Sequence, residues 1–425
     1  MYRIAAFRRT LPGNGDGGDG VSVIPGRGHT AGKSNKTEMM RCLGMKKIVL
    51  IPDSFKETMS SIEICNIMRQ SILSHFPECE TVSIPVADGG EGSVDCFLNA
   101  MGGERISVKV SGPYFNQIDS FYGLVDGGRT AVIEMAACAG LPLVEGNKNP
   151  MLTTTFGVGQ LIGAAAARGC KKIILGLGGS CTNDGGCGAA AALGVKFLDK
   201  SGKEFVPTGG SLKDIAQVDA SRPDPVLSGI EIICMCDIDN PLYGETGAAY
   251  IFAPQKGADA EMVKLLDTGL INLAAVIRNC LGTDPGAIPG GGAAGGMGAG
   301  MAALLGAKLR MGIQTVLDLV GFDAIIKTAD MIFTGEGKID SQSLRGKVVI
   351  GVARQAKTRK VPVTAVVGDI GNGIEKAYDE GVTAIFSINS VAVPFEKAKL
   401  RCREDMAMTM DNIMRLLSVK SAGNK

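Results

Sequence analysis

Five segments of the sequence share one arrangement: an apolar run, a short stretch of glycine with Asp, Glu, Lys or Ser, and then a helix-like pattern. Glycine lets the backbone approach a bound anion closely, and a helix N-terminus adds partial positive charge there. Carboxylates among these glycines would repel a phosphate group unless a divalent cation such as Mg²⁺ lay between them. The arrangement therefore indicates magnesium–nucleotide chemistry. The segments are residues 52–57, 87–92, 178–186, 289–298 and 334–343.

Histidine is nearly absent from the sequence, which contains only His29 and His75. This scarcity argues against histidine-based triads and zinc sites, so a carboxylate is the expected general base. Asp184 and Asp340 are the two candidates, because each lies in a glycine-rich turn that is predicted to open a helix. The residues leave open which of the two accepts the proton. Lys56 is the third predicted catalytic residue, as a positive charge close to the reacting groups.

Three further acidic residues, Asp88, Glu91 and Asp237, are the predicted Mg²⁺ ligands, since hard oxygen ligands suit that ion. A carboxylate that follows a strand can also cap the next helix. For Asp53, Asp88 and Asp184 the capping role and the ligand-binding role carry equal weight when each residue is taken alone. Their recurrence at predicted strand ends favours function for the group.

Lysines in such loops can neutralise a phosphate group or a substrate carboxylate, and Lys56, Lys256 and Lys347 are the candidates. We expect one of the loops 178–186 and 290–298 to bind nucleotide phosphates and the other to bind the substrate carboxylate. The sequence does not distinguish which loop has which role. The other predicted substrate- or nucleotide-binding positions are Asp53, Ser54, Gly89, Gly90, Gly178, Gly179, Ser180, Thr182, Asn183, Gly292, Gly295, Gly296, Gly335 and Glu336.

Two local motifs are set aside. Residues 290–295 match the spacing of a dinucleotide fingerprint, but no convincing strand precedes them. Residues 28–34 resemble a phosphate-binding loop that is one residue too short and lacks a following apolar helix.

Two other classes of function remain as alternatives. One is an acyl transferase that uses Cys181 as its nucleophile. Such an enzyme needs a base beside the thiol, and the scarcity of histidine argues against one. The other is a non-catalytic sensor of sugar acids.

The chain has 425 residues and a net charge of +1. A charge so close to zero gives no reason to expect nucleic acid or a membrane surface as a partner. No apolar run reaches the roughly 18 residues that span a bilayer. The scattered cysteines and the lack of a secretory leader predict reduced thiols and a cytoplasmic protein. Residues 1–44 are glycine-rich and polar, and we expect them to be a disordered extension.

From residue 45 onward, apolar runs alternate with helical patterns, which predicts an α/β fold. Residues 104–136 differ, because short alternating runs with turn residues indicate antiparallel strands. The last third has the clearest strand–helix–strand alternation, which indicates a parallel sheet with ligands at the carboxyl ends of its strands. The other main predictions are strands at 46–51, 173–177 and 361–367, and helices at 60–76, 184–193, 293–305 and 396–416.

Taken together and in order, these blocks resemble the bacterial glycerate kinase family of the type that serves glucarate, galactarate and glyoxylate degradation. The resemblance runs from about residue 45 to about residue 415. Cys181 and Cys187 depart from it mildly, because small residues would be expected at those positions. The matching blocks are residues 51–57, 86–92, 133–136, 177–186, 236–242, 254–258, 292–298 and 334–340.

The resemblance implies transfer of the ATP γ-phosphate to a hydroxyl of D-glycerate with Mg²⁺, most often giving 2-phosphoglycerate and in some members 3-phosphoglycerate. It implies two α/β domains with the active site in the cleft between them. One domain, with a Rossmann- or flavodoxin-like parallel sheet, would comprise residues 45–105 and 300–425, and residues 106–299 would be inserted. Glycerate is the expected partner, and a homodimer is the oligomeric state considered.

Overall fold

Runs of Val, Ile and Leu become the strands of two main sheets in the computed structural model, which describes residues 45–87 and 89–419. The run KIVLIP at residues 47–52 is buried at every position after the first, as expected of a central strand covered on both faces. The strands are β1 (Lys47–Pro52), β2 (Glu80–Ser83), β3 (Glu104–Ser111), β4 (Gln117–Val125), β5 (Thr130–Glu134), β6 (Lys172–Gly176), β7 (Lys196–Leu198), β8 (Gln217–Asp219), β9 (Glu231–Met235), β10 (Lys308–Arg310), β11 (Met331–Gly335), β12 (Lys338–Ile339), β13 (Val363–Val367), β14 (Asp369–Ile370) and β15 (Val382–Ser387).

Capping residues mark the ends of some of the helices. The Ser60 side chain accepts a hydrogen bond from the Glu63 amide, and Gly282 ends a 22-residue helix with a left-handed φ of 70°. None of the helices within the described ranges combines the length and the apolar composition that a membrane crossing requires. They are α1 (Ser61–His75), α2 (Ser93–Met101), α3 (Ala136–Ala139), α4 (Phe156–Ala167), α5 (Cys187–Ala192), α6 (Ala248–Phe252), α7 (Ala260–Leu281), α8 (Ala293–Leu305), α9 (Gly312–Leu319), α10 (Phe322–Ile326), α11 (Val348–Arg359), α12 (Lys376–Asp379) and α13 (Phe395–Ser418).

The first sheet is entirely parallel and is built from both ends of the folded part of the chain, as predicted. Its strand order is β15-β13-β11-β1-β2. In the register of β1 and β11, Pro52 lies opposite Gly335. The two strands therefore end side by side, and the residues that follow them leave the sheet at the same edge.

The second sheet is mixed, with the strand order β10-β9-β6-β5-β4-β3. β3, β4 and β5 pair antiparallel, which confirms the pattern predicted for residues 104–136. β5, β6, β9 and β10 are parallel. The carboxyl ends of these four strands form a second ligand-accessible edge.

One apolar core connects the two sheets. It contains Ile51 of β1, Val132 of β5, Ile174 of β6 and Val349 of α11, all buried. Residue 300, a predicted domain boundary, lies within α8, whose methionines pack against the second sheet. The two-domain division and its boundaries stay predictions.

Candidate active site

The larger of two neighbouring cavities lies at the carboxyl ends of the first sheet and has a volume of about 610 Å³. Residues that follow β1, β11, β13 and β15 line it, as the strand-end rule predicts. The starts of α11 and α13 and the loop after β9 supply the rest of the wall. The lining residues are Asp53, Ser54, Phe55, Lys56, Thr58, Asp237, Ile238, Glu336, Gly337, Lys338, Lys347, Val348, Gly368, Asp369, Ile388, Asn389, Phe395, Ala398, Lys399 and Cys402.

Charge is concentrated in this cavity. Cations and carboxylates both face a concave surface, so the site can neutralise a polyphosphate while presenting oxygen ligands to a cation. Apolar side chains such as Phe395 and Val348 provide surface for the remainder of a ligand. The charged residues are Lys56, Lys338, Lys347, Lys399, Asp53, Asp237, Glu336 and Asp369.

Glu336 is the most unusual of these side chains. It is 5% exposed, and its Oε1 atom is buried without a hydrogen-bond partner. Burial raises the pKa of Glu336 to about 7, against the opposing effects of a hydrogen bond from Ser343 and the charge of Lys347; the charge of Asp340 raises it further. A carboxyl group poised near neutral pH, with one free oxygen, can accept or donate a proton.

The smaller cavity, of about 320 Å³, lies at the carboxyl ends of β6 and β9 in the second sheet. Gly178, Gly179 and Ser180 follow β6 and form one wall, and the start of α8 forms another. Asp237 and Ile238 line this cavity as well as the larger one. The two cavities therefore adjoin at the loop after β9.

Lys256 is buried in the wall of the smaller cavity. It is 1% exposed, and its Nζ donates hydrogen bonds to Ser180 Oγ at 2.9 Å and to the Thr182 carbonyl at 2.6 Å. Burial lowers the pKa of Lys256 to about 8, while Cys181 and Asp184 act in the opposite direction. A buried ammonium group that remains protonated at neutral pH is suited to binding an anion.

Asp184, a predicted base, lines neither cavity and is fully buried. Its Oδ2 accepts hydrogen bonds from Thr155 N, Thr155 Oγ1 and Gly188 N at 2.7, 2.8 and 3.2 Å, and its Oδ1 accepts one from Gly186 N at 3.2 Å. Burial raises the pKa of Asp184 above its ordinary value, although these bonds favour the ionised form. The geometry supports a structural role rather than the catalytic one, because the carboxylate holds together the turn that precedes α5, whose N-cap is Gly186.

The other predicted acids are distributed differently. Asp340 and Glu91 line neither cavity. Asp340 Oδ1 accepts a hydrogen bond from Gln342 N at 2.9 Å and stabilises a turn, and Glu91 is exposed. Asp88 lies outside the described residues. Asp237 is the predicted metal ligand that does face the cavities.

The remaining predicted glycines pack against backbone rather than line a cavity. A Cβ atom at Gly335 would lie 2.1 Å from the Val366 carbonyl oxygen, and one at Gly295 would lie 2.1 Å from the Thr182 carbonyl oxygen. Such close approaches require glycine. They position the loops around the site. A Cβ atom at Gly292 would likewise lie 2.3 Å from the Pro241 carbonyl oxygen, and one at Gly296 would lie 3.0 Å from Gly185 Cα. Gly89 is packed less tightly, since its Cβ would lie 3.2 Å from Gly176 Cα, and Gly90 packs against Gly178. Thr182 and Asn183 are also fully buried beside the smaller cavity and outside its lining.

Cys181 cannot serve as an activated thiol in this setting. It is 1% exposed, and burial raises its pKa to about 12, against the lowering effect of Lys256. The acyl-transferase alternative therefore loses its nucleophile.

Several cavity residues were not predicted from the sequence. Asp369 and Asn389 follow β13 and β15, so the strand-end rule could have identified them. Phe395 and Lys399 belong to the first turns of α13 and carry no motif. Their place in the site depends on how that helix packs against the first sheet.

The acids of the larger cavity suit Mg²⁺ by their chemistry, since hard carboxylate oxygens face one space. Within the described ranges, no three His, Cys, Asp or Glu side chains are gathered closely enough to hold a metal ion by themselves. Mg²⁺ commonly takes one or two carboxylates and completes its shell with water and nucleotide phosphates. The residues present fit that mode of binding.

Residues 48–418 match the model of the glycerate kinase family. The match spans nearly all of the described chain, including both sheets and both cavities. The chain therefore belongs to the glycerate kinase family.

Individual relatives agree over almost their whole length. The chain is 44% identical to a glycerate kinase of Bacillus subtilis over 368 residues, which cover 86% of this chain and 96% of that protein. It is 41% identical to the glycerate 2-kinase of Escherichia coli over 374 residues, 88% of this chain and 98% of the relative. A crystal structure of a glycerate kinase 2 from Salmonella typhimurium superposes with a TM-score of 0.78 at 41% identity, covering 88% of this chain and 98% of the other.

Proposed function

We propose that this protein transfers the γ-phosphate of ATP to a hydroxyl of D-glycerate, giving 2-phospho-D-glycerate. The observation that carries the proposal is the pair of adjoining cavities, which share Asp237 and Ile238. Phosphoryl transfer depends mainly on positioning two substrates and on neutralising charge. Two adjoining cavities, one larger and strongly charged, meet both requirements.

ATP is assigned to the larger cavity. Its volume of about 610 Å³ accommodates a nucleotide, and four lysines face it to balance a triphosphate. The smaller cavity, of about 320 Å³, is left for the acceptor. The γ-phosphate would then lie near Asp237, where the cavities meet.

Glu336 is assigned the role of proton acceptor, in place of Asp184 and Asp340. It lines the larger cavity, one of its oxygens is buried without a hydrogen-bond partner, and its pKa of about 7 is near the value that favours general-base catalysis at neutral pH. Two residues beyond its partner Ser343, Arg345 donates a hydrogen bond to Asp239 at 3.1 Å. These contacts connect the Glu336 region to the loop that contains Asp237, where the cavities adjoin.

The chemical step is simple to balance. A glycerate hydroxyl oxygen forms the new bond to phosphorus as the bond between the γ-phosphorus and the β-phosphate oxygen breaks. The hydroxyl proton passes to the Glu336 carboxylate, and ADP leaves with the electron pair of the broken bond. Lys56 and Lys347, which line the same cavity, offset the charge on the transferred group.

Bound Mg²⁺ would supply charge neutralisation between the phosphates and the cavity carboxylates, and Asp237 is the assigned ligand. Asp237→Asn should raise the Mg²⁺ concentration needed for half-maximal rate several-fold, because the amide lacks the negative charge. The measurement is a Mg²⁺ titration at fixed ATP, with Asp239→Asn as the matched control in the same loop. An unchanged titration would remove Asp237 from this role.

We also propose that the protein is cytoplasmic, that it forms a homodimer, and that it divides into two domains with boundaries near residues 105 and 300. Phosphate transfer is proposed to go to the 2-hydroxyl of glycerate rather than to the 3-hydroxyl. A non-catalytic sensor is the competing class. It predicts binding of sugar acids without turnover.

The test is the appearance of ADP from ATP in a coupled assay. ADP formation should require both D-glycerate and Mg²⁺, and chelating the metal should abolish it. A folded protein that binds ATP and glycerate but forms no ADP would favour the sensor.

A further inference from the structure

The smaller cavity contains a built binding group that the chemical step described above does not use. Lys256 lines this cavity, and its ammonium group has three N–H donors. Two are donated to Ser180 Oγ and the Thr182 carbonyl. One donor remains for a ligand.

The charge of Lys256 is also not neutralised by direct contact with a carboxylate in the described part of the chain, since both of its hydrogen bonds go to uncharged oxygens. Asp184 is near enough to raise the Lys256 pKa, but its own oxygens accept bonds from Thr155, Gly186 and Gly188. Burying a charge without a contacting counter-ion is costly. A bound anion would offset that cost.

The surroundings of Lys256 carry further signs of a ligand site. The Thr182 hydroxyl and both amide atoms of Asn183 are buried without hydrogen-bond partners, which is rare in folded proteins. Ala294, in the cavity wall, has a left-handed φ of 53° that a non-glycine residue seldom adopts. Strained backbone and unsatisfied polar groups both concentrate at functional sites.

The charge count indicates which anion belongs here. A triphosphate needs several cations or a metal, and four lysines face the larger cavity. Lys256 is the one lysine in the lining of the smaller cavity, where no arginine or histidine accompanies it among the described residues. Within the described part of the chain, Asp237 is the one carboxylate in this lining, and it lies where the cavities meet and is assigned to Mg²⁺. The single ammonium of Lys256 is then left to match the single negative charge of a carboxylate.

We propose that Lys256 binds the carboxylate of the acceptor in the smaller cavity, so that the enzyme selects short hydroxy acids over uncharged polyols of the same size. The inference rests on the proposed function for its substrate. Lys256 would be the group that recognises the substrate, and the substrate would enter the active site from the smaller cavity.

Lys256→Met tests the proposal, because methionine keeps the length and apolar stem of lysine without the charge. The KM for D-glycerate should rise about 10- to 100-fold, as expected for the loss of a charge-assisted hydrogen bond, while the KM for ATP changes less than about threefold. Lys264→Met is the matched control: it removes the same charge from an exposed lysine of α7 that lines neither cavity, so the glycerate KM should stay within about threefold of normal. A rise in the KM for ATP, equal rises for both substrates, or no change would each overturn the proposal.

A second arm uses the unaltered protein, so that it does not depend on how the variant folds. Glyceramide differs from glycerate in having an uncharged amide in place of the carboxylate. In a thermal-shift titration it should bind at least about tenfold more weakly than D-glycerate. Equal binding would overturn the assignment of Lys256. This arm also separates the two proposals, because a protein that discriminates between these ligands yet forms no ADP contradicts the proposed function alone.

Discussion

Glu336→Gln is expected to lower kcat by about 10²- to 10⁴-fold at neutral pH, the usual effect of removing a general base. Glutamine preserves the size of the side chain and the contact with Ser343, but its amide cannot take up the hydroxyl proton. Binding of ATP and glycerate should change little, so the loss should appear in kcat more than in KM. Steady-state kinetics at saturating substrate provide the measurement.

The pH profile gives this prediction its most specific form. Burial raises the pKa of Glu336 to about 7, and the base acts only when ionised, so kcat of the unaltered enzyme should fall as the pH drops below 7. That acid limb should disappear in Glu336→Gln. Asp340→Asn should move it to lower pH, because the Asp340 charge contributes to the raised pKa. A Glu336→Gln enzyme with normal kcat and an unchanged limb would eliminate Glu336 as the base.

Asp184→Ala is expected to lower the free energy of unfolding by about 3–5 kcal/mol, because four buried donors lose their acceptor. The residue is fully buried, so water cannot readily replace the carboxylate. The loss should appear as a lower midpoint of urea denaturation. Once the variant is folded at low temperature, kcat should remain within a few-fold of normal.

Asp199 offers a matched control for the Asp184 prediction. Its carboxylate also collects hydrogen bonds, from Ser201 N, Ser201 Oγ and Lys203 N, but in an exposed turn where water can take its place. Asp199→Ala should therefore shift the denaturation midpoint much less. An Asp184→Ala protein of normal stability whose kcat has fallen more than 100-fold would restore the catalytic role that its burial argues against.

The positions of the strands were accessible from the sequence because periodicity and apolar runs report them directly. The strand predicted at residues 46–51 corresponds to β1, and that at 173–177 corresponds to β6 within one residue at each end. The strand-end rule then placed Glu336 and Ser180 at the two cavities. Local patterns could support these predictions since each depends on one strand and the loop that follows it.

The structural role of Asp184 could not be predicted from the sequence in the same way. A carboxylate that stabilises a turn and a catalytic one occupy the same sequence context, namely a glycine-rich turn before a helix. Only burial and the four donors around the carboxylate distinguish them. The helix predicted at 184–193 begins at Cys187 because the first residues are used in the turn that Asp184 stabilises.

Long-range packing determined the rest of the site. The helix predicted at 396–416 corresponds to α13, but nothing in its sequence shows that Phe395 and Lys399 face a charged cavity. Likewise, the sequence around Gly178 predicts a ligand-binding loop, but the backbone of Gly178 also packs against Gly90. A Cβ atom at Gly178 would lie 2.6 Å from Gly90 Cα. Such contacts join distant segments, so a local pattern cannot report them.

The most direct test of the whole account is ³¹P NMR of a reaction that contains the protein, ATP, Mg²⁺ and D-glycerate. We predict a new phosphate-ester resonance that grows together with ADP and is split into a doublet by the proton on carbon 2 of glycerate. A triplet would show transfer to the 3-hydroxyl and correct only the regiochemistry. A spectrum that shows no new ester, with or without release of inorganic phosphate, would contradict the claim that these two cavities transfer phosphate to glycerate.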